Sequence, residues 1–167
     1  MTILKSLTLV AGLTFGAAGV SAQSLEKGML AAQAGDFETA LKQITPLAEQ
    51  GNDEAQAMLG ALYKEGKGVQ QDYVEAEKWI RLSAVQGNAK AQMMLGALYA
   101  AGLGVNSDQE VAAMWFLISA VNGEVAAVQG LNQVRDALTP EEMGRARALA
   151  VRCFDSVYKD CSRQLSS

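Results

Sequence analysis

The chain has 167 residues, half of them hydrophobic, with 6% aromatic, 19% charged, two prolines, no histidine and a net charge of −4. That length fits one core or one short solenoid, and the apolar share excludes disordered, collagen-like and Pro-rich classes. Without imidazole there is no Ser-His-Asp or Cys-His pair and no His-ligated metal, and the acidic balance repels nucleic acid and anionic membrane surfaces. Ala, Leu, Val and Met make up most of the apolar content, so an all-α fold is expected.

Residues 1–22 read as a secretory leader. Lys5 precedes an apolar run over residues 7–18, interrupted by Gly12 and Gly16, and Val20-Ser21-Ala22 offers a cleavage site before Gln23. The apolar stretch over residues 6–20 falls short of the roughly 20 residues that span a bilayer. No Cys follows it to carry a lipid anchor. The expectation is a mature chain of residues 23–167 in a periplasm or secreted, without stable membrane insertion and monomeric. Lys5 is the leader's one charged residue, so the mature chain is one unit more acidic.

The remainder repeats itself at a shift of 36. Ala55-Gln56-Ala57-Met58-Leu59-Gly60-Ala61-Leu62-Tyr63 returns as Ala91-Gln92-Met93-Met94-Leu95-Gly96-Ala97-Leu98-Tyr99. Gly66, Gly68 and Val69 return as Gly102, Gly104 and Val105, and Asp72, Ala76, Trp79, Ala84 and Gly87 as Asp108, Ala112, Trp115, Ala120 and Gly123. The register runs back to Asp36, Ala40 and Ala48, and weakly forward to Ala127 and Leu131. Gly28 is offset, which predicts a first hairpin with a connection four residues shorter. The units are a first hairpin over 24–50, full repeats over 51–86 and 87–122, a degenerate closing hairpin over 123–154 and a tail over 155–167, forming one domain.

Each unit reads as a helix pair. Ala55, Met58, Leu59 and Leu62 follow the i, i+3, i+4, i+7 spacing of one helix face, and Val74, Ala76, Trp79, Ile80 and Ala84 do so roughly on the second helix. Asp72 with Glu75, Ser107 with Glu110 and Thr139 with Glu142 mark helix starts, Pro140 suits a first turn, and Gly51, Gly87 and Gly123 suit left-handed caps. The hairpins are expected to start near Leu25, Asp53, Ala89 and Val125. Trp79 and Trp115 share a phase with Ala76 and Ala112 and read as core. Gly66-Lys67-Gly68 has the wrong spacing for a phosphate loop and its second copy lacks the lysine, so it reads as a turn. Asp72 and Asp108 read as caps, not as an acid-base pair.

Cys153 and Cys161 form an even pair in an exported chain, so a disulfide is expected. Continuous helix would hold them about 12 Å apart, beyond the reach of a bridge. The helix from Pro140 is therefore expected to end near Phe154 and the chain to turn back.

The motif Ala-Gln-x-x-Leu-Gly-x-Leu-Tyr, then Gly-x-Gly-Val, Asp-x-x-x-Ala-x-x-Trp and Ala-x-x-Gly-Asn resembles the Sel1-like repeat (SLR), a relative of the tetratricopeptide repeat. The resemblance is specific over residues 51–123 and looser over 24–50. It implies a right-handed α-solenoid of stacked helix hairpins that binds proteins, and it names no catalytic residue, cofactor or metal. By analogy with tetratricopeptide geometry, Glu54, Ala57, Ala61, Lys64, Glu65, Lys90, Met93, Ala97, Ala100 and Ala101 would line a concave partner-binding groove. Three functions stay open at this point: an exported scaffold or adaptor for an envelope or secreted protein, an immunity protein that neutralises a secreted effector, and a cell-wall-directed hydrolase. The last is disfavoured, since both Cys lie outside the repeats and no nucleophile-base pair is visible. The expected protein is not an enzyme.

Overall fold

The computed structural model describes residues 17–159 and Cys161. Of the leader expected over residues 1–22, residues 1–16 lie outside the described residues, and residues 17–22 begin the first helix. Eight helices and no strand are found among the described residues: α1 (Ala17–Gln33), α2 (Phe37–Glu49), α3 (Asp53–Glu65), α4 (Tyr73–Ala84), α5 (Ala89–Ala101), α6 (Gln109–Val121), α7 (Ala126–Arg135) and α8 (Pro140–Asp155). None of them is long and apolar enough to cross a membrane. Each helix from α1 to α6 packs on the next in sequence, as successive hairpins of an all-α solenoid do.

Local chemistry sets most helix ends. Asn52 and Asn88 cap α3 and α5 by accepting from the Ala55 and Ala91 amides, and Asp36, Asp72 and Asp108 cap α2, α4 and α6 in the same register. Gly66 and Gly102 close α3 and α5 in the left-handed conformation, at φ 66° and 67°. Thr139 and Glu142 form the full capping box of α8, with Pro140 in the first turn. The expected Ser107/Glu110 box does not form. Asp108 takes the cap position, the Ser107 hydroxyl donates to the Ala100 carbonyl, and Glu110 accepts from Arg145 of α8 at 2.9 Å.

Within the hairpins, close approach depends on a residue without a side chain. A methyl at Gly60 would stand 2.5 Å from Ile80 Cγ1, and one at Gly28 the same distance from Ile44 Cγ2. Gly96 faces Phe116 in the same way. Ile44, Ile80 and Phe116 keep the 36-residue spacing, whereas Gly28 lies closer to its partner because three residues join α1 to α2 where seven join α3 to α4. The shorter first connection expected from sequence is thus present.

One core cluster joins Ile44, Leu47 and Ala48 of α2 to Ala55, Leu59 and Leu62 of α3. A larger one runs from Ala57 of α3 to Cys161. Trp115 lies within the larger cluster at 0% exposure, its indole N–H without a partner among the described residues. Trp79, at the same register position, is half-buried, with the Lys78 ammonium 5.5 Å from its ring centroid. The core assignment therefore holds fully for Trp115 and in part for Trp79.

The last two helices depart from the repeat. α7 has only 10 residues and no side-chain cap, and both α7 and α8 pack on α6 instead of closing tightly on each other. α8 ends at Asp155; the chain turns through Val157 and Tyr158, both at positive φ, and brings Cys161 to Cys153 with Cα atoms 4.8 Å apart in a disulfide.

Candidate functional site

The first helices of the two regular repeats present one face at corresponding positions. Glu54, Glu65, Lys90, Ala97 and Ala101 are exposed, and Ala61, Lys64, Met93 and Ala100 are half-buried. Ala57 is 6% exposed and belongs to the core cluster, so its side chain is packing material beneath that face. On α7 the same phase continues through Ala126, Gln129 and Gln133, all exposed, and α5 packs directly on α7. The floor along α5 is thus small and apolar, with Met93 as its one long, adaptable side chain.

Charges lie at the margins. Lys64 stands 4.0 Å from Glu65, and Lys67 pairs with Glu65 at 2.6 Å. The hydrogen bond from Lys67 holds the Glu65 carboxyl below the usual glutamate range, against the opposing effect of partial burial. These pairs are exposed and screened, so their role is orientation of a ligand more than stability. Among the described residues no group of three His, Cys, Asp or Glu is placed to hold a metal ion.

Behind this face, polar side chains tie the repeats together. The Gln56 amide donates to the Ala48 carbonyl at the end of α2, and Gln92 repeats the contact on Ala84 at the end of α4. Gln86 then donates to Gln56, and Asn122 to Gln92, at 2.7 and 2.8 Å. Ser83 and Ser119 reach the carbonyls of Asp53 and Ala89. The glutamines bond carbonyls that a helix C-terminus leaves without intrahelical partners, whereas Asp53 and Ala89 open α3 and α5, so the serines tie each second helix to the first turn of its first helix. Recurrence of Gln56 as Gln92 was visible in the sequence, but the capping of a preceding helix depends on how repeats stack.

Sequence reasoning also passed over a second surface. Leu117 and Val121 of α6 and Arg147, Val151, Phe154 and Asp155 of α8 line a cleft of about 430 Å³. The signal for it was present: Leu82, Ile118 and Phe154 recur at 36-residue intervals, as do Val85, Val121 and Val157.

The Sel1 repeat profile matches residues 53–88 and 89–123. A solved Sel1 repeat protein from Oxalobacter formigenes is 30% identical over 70% of this chain and 90% of its own, with a TM-score of 0.61. The chain is a Sel1 repeat protein. A protective antigen present in uropathogenic Escherichia coli strains, displaying an SLR fold, is 25% identical with a TM-score of 0.79 over 88% of this Sel1 repeat chain. The alignment covers 33% of that antigen's length. No curated protein matches the chain. Sel1 repeat proteins generally mediate protein–protein interaction, on scaffolds that are generally non-catalytic.

Proposed function

We propose that this Sel1 repeat protein is an exported scaffold or adaptor that binds an envelope or secreted protein through the groove formed by its first helices. The supporting observation is the division of labour within each repeat. Second-helix residues such as Ala76, Ile80, Ala112 and Ile118 are buried in packing, while the corresponding first-helix positions Glu54/Lys90 and Ala61/Ala97 carry little of it. A stacked array with one unspent face suits an extended segment or a helix of a partner, with a few central anchors and a charged rim. The oxidised cysteine pair accords with export to an oxidising compartment.

The test starts from a partner recovered by crosslinking in intact periplasm. Ala97→Arg fills the floor and is expected to weaken binding by roughly tenfold or more, whereas Lys64→Ala and Lys90→Ala chiefly slow association at low salt. Wild-type affinity in Ala97→Arg, with loss on changing the second-helix face, would place the site elsewhere. Turnover of a cell-wall substrate by the purified protein would replace the scaffold reading with the hydrolase one.

A further inference from the structure

The α6/α8 cleft carries a charge pattern that the groove reading leaves unused. Three large apolar residues around it are unusually open, Val121 at 71%, Val151 at 59% and Phe154 at 45% exposure. An apolar surface of this kind on a small domain marks a contact site. Its lining includes two charged residues, Arg147 and Asp155, and neither makes an ion pair among the described residues. Both lie on α8 with Val151 midway between them in sequence. Eight residues of helix hold them about 12 Å apart, too far to pair within one chain.

We infer that this cleft is the interface through which two copies of the chain pair, with α8 antiparallel to α8 of the second copy and the two-fold axis at Val151. Such an axis sets Arg147 of each copy opposite Asp155 of the other, each about 6 Å from the axis along the helix. A positive residue on one side of an apolar centre and a negative one at equal distance on the other are self-complementary only in the antiparallel arrangement. Gly144 and Ala148 share the exposed stripe with Val151, and a methyl on Gly144 would meet nothing within 4 Å, so the second helix can come close. Phe154 and Val121 then cover the apolar flanks. The unusual position of α8, on α6 and not against α7, is what leaves this face open.

The sequence reading expected a monomer; this pairing departs from it and gives a bivalent molecule. The interface uses second-helix residues, so the first-helix faces of both copies stay available and the two sites act with avidity on a multivalent partner. A single helix pair with its flanks buries an area at or below about 1,200 Å², which corresponds to a reversible, micromolar dimer.

Sedimentation velocity of the oxidised protein from an export-competent host, from about 1 to about 200 µM, reads the association directly. A concentration-dependent shift from one copy to two is expected. Arg147→Asp sets two pairs of carboxylates against each other and Asp155→Arg two pairs of cations, and each alone is expected to weaken dimerisation by about tenfold or more. The double variant Arg147→Asp/Asp155→Arg restores the pairing with its signs exchanged, to within about threefold of wild type. Both positions are exposed, and an unchanged thermal melt confirms that each of the three variants folds. A monomer across the whole range, a dimer indifferent to the single reversals, or a double variant no better than the singles overturns the inference. So does a monomer whose cleft takes up a helix of a different protein. Partner affinity per site is expected to be the same in these variants, so failure here is separable from failure of the groove reading.

Discussion

Tyr158 and Asn122 exchange hydrogen bonds, the phenol donating to Asn122 Oδ1 at 3.1 Å and Asn122 Nδ2 standing 2.7 Å from the phenolic oxygen. Asn122 also donates to Gln92 at 2.8 Å, and the tyrosine ring lies over Gly87, where a methyl would stand 3.1 Å from Cε2. Tyr158 is 36 residues beyond Asn122, which is itself 36 beyond Gln86. The polar chain linking repeats therefore ends on a residue held in the disulfide loop.

Breaking that loop is expected to loosen the end of the solenoid. Removing the 153–161 bridge costs about 2.6 kcal/mol on the chain-entropy account, and Tyr158→Phe about 1 kcal/mol through the part-buried amide it leaves. Urea melts of wild type with and without reductant, and of Tyr158→Phe, measure both. Two free thiols in the unfolded, unreduced protein would show that the bridge is not formed.

Gln92 is buried at 0% exposure and holds both the Ala84 carbonyl and Asn122. Gln92→Leu removes two hydrogen bonds, although the Ala84 carbonyl keeps the Gly87 amide and Asn122 keeps Tyr158, and about 1–3 kcal/mol of stability should be lost. Gln86→Ala, at an exposed position, should cost less than half of that. Equal midpoints for the two variants in urea would mean the inter-repeat amides carry little weight.

Two glycines separate backbone strain from steric contact. Gly104 and Gly123 have φ of 74° and 97°, but a methyl on Gly104 would overlap the Tyr73 carbonyl oxygen, whereas one on Gly123 meets nothing within 4 Å. Ala at Gly123 should cost the left-handed strain alone, about 1–2 kcal/mol, and Ala at Gly104 clearly more. Gly68 packs on Phe37 in the corresponding place, so each Gly-x-Gly loop seats on the previous second helix. Thermal denaturation of the two variants side by side decides it.

Acid should act on α8 through its capping box. The Thr139 backbone N–H donates to the Glu142 carboxylate at 2.7 Å, and this bond, with the Thr139 side chain adding to it, holds the Glu142 pKa below the ordinary 4.5. A lowered folded value means that the unfolded chain takes up the proton first. The contribution is complete above 4.5 and lost as pH falls through the folded value. Glu142→Gln should be less stable at neutral pH and lose less on acidification below that point. Parallel melting curves for the two proteins across the acid range would exclude a role for this carboxylate.

Where most elements begin was legible because capping and turn chemistry act over three or four residues; α1, which starts at Ala17 and not near Leu25, is the exception. Asp72, Asp108 and Thr139 name their helix starts in any context, and the 36-residue register supplied the hairpins at Asp53 and Ala89. That register determined the all-α solenoid. Which partner a side chain finds across a gap was decided by stacking: Arg145 draws Glu110 away from its own helix end, Gln56 and Gln92 cap helices of the preceding hairpin, and Trp79 and Trp115 differ in burial at one register position. The placement of α8 on α6 is of the same kind. A short α7 without a cap and a disulfide loop anchored on Asn122 set it together, and neither constraint is contained in the spacing of residues along α8 itself.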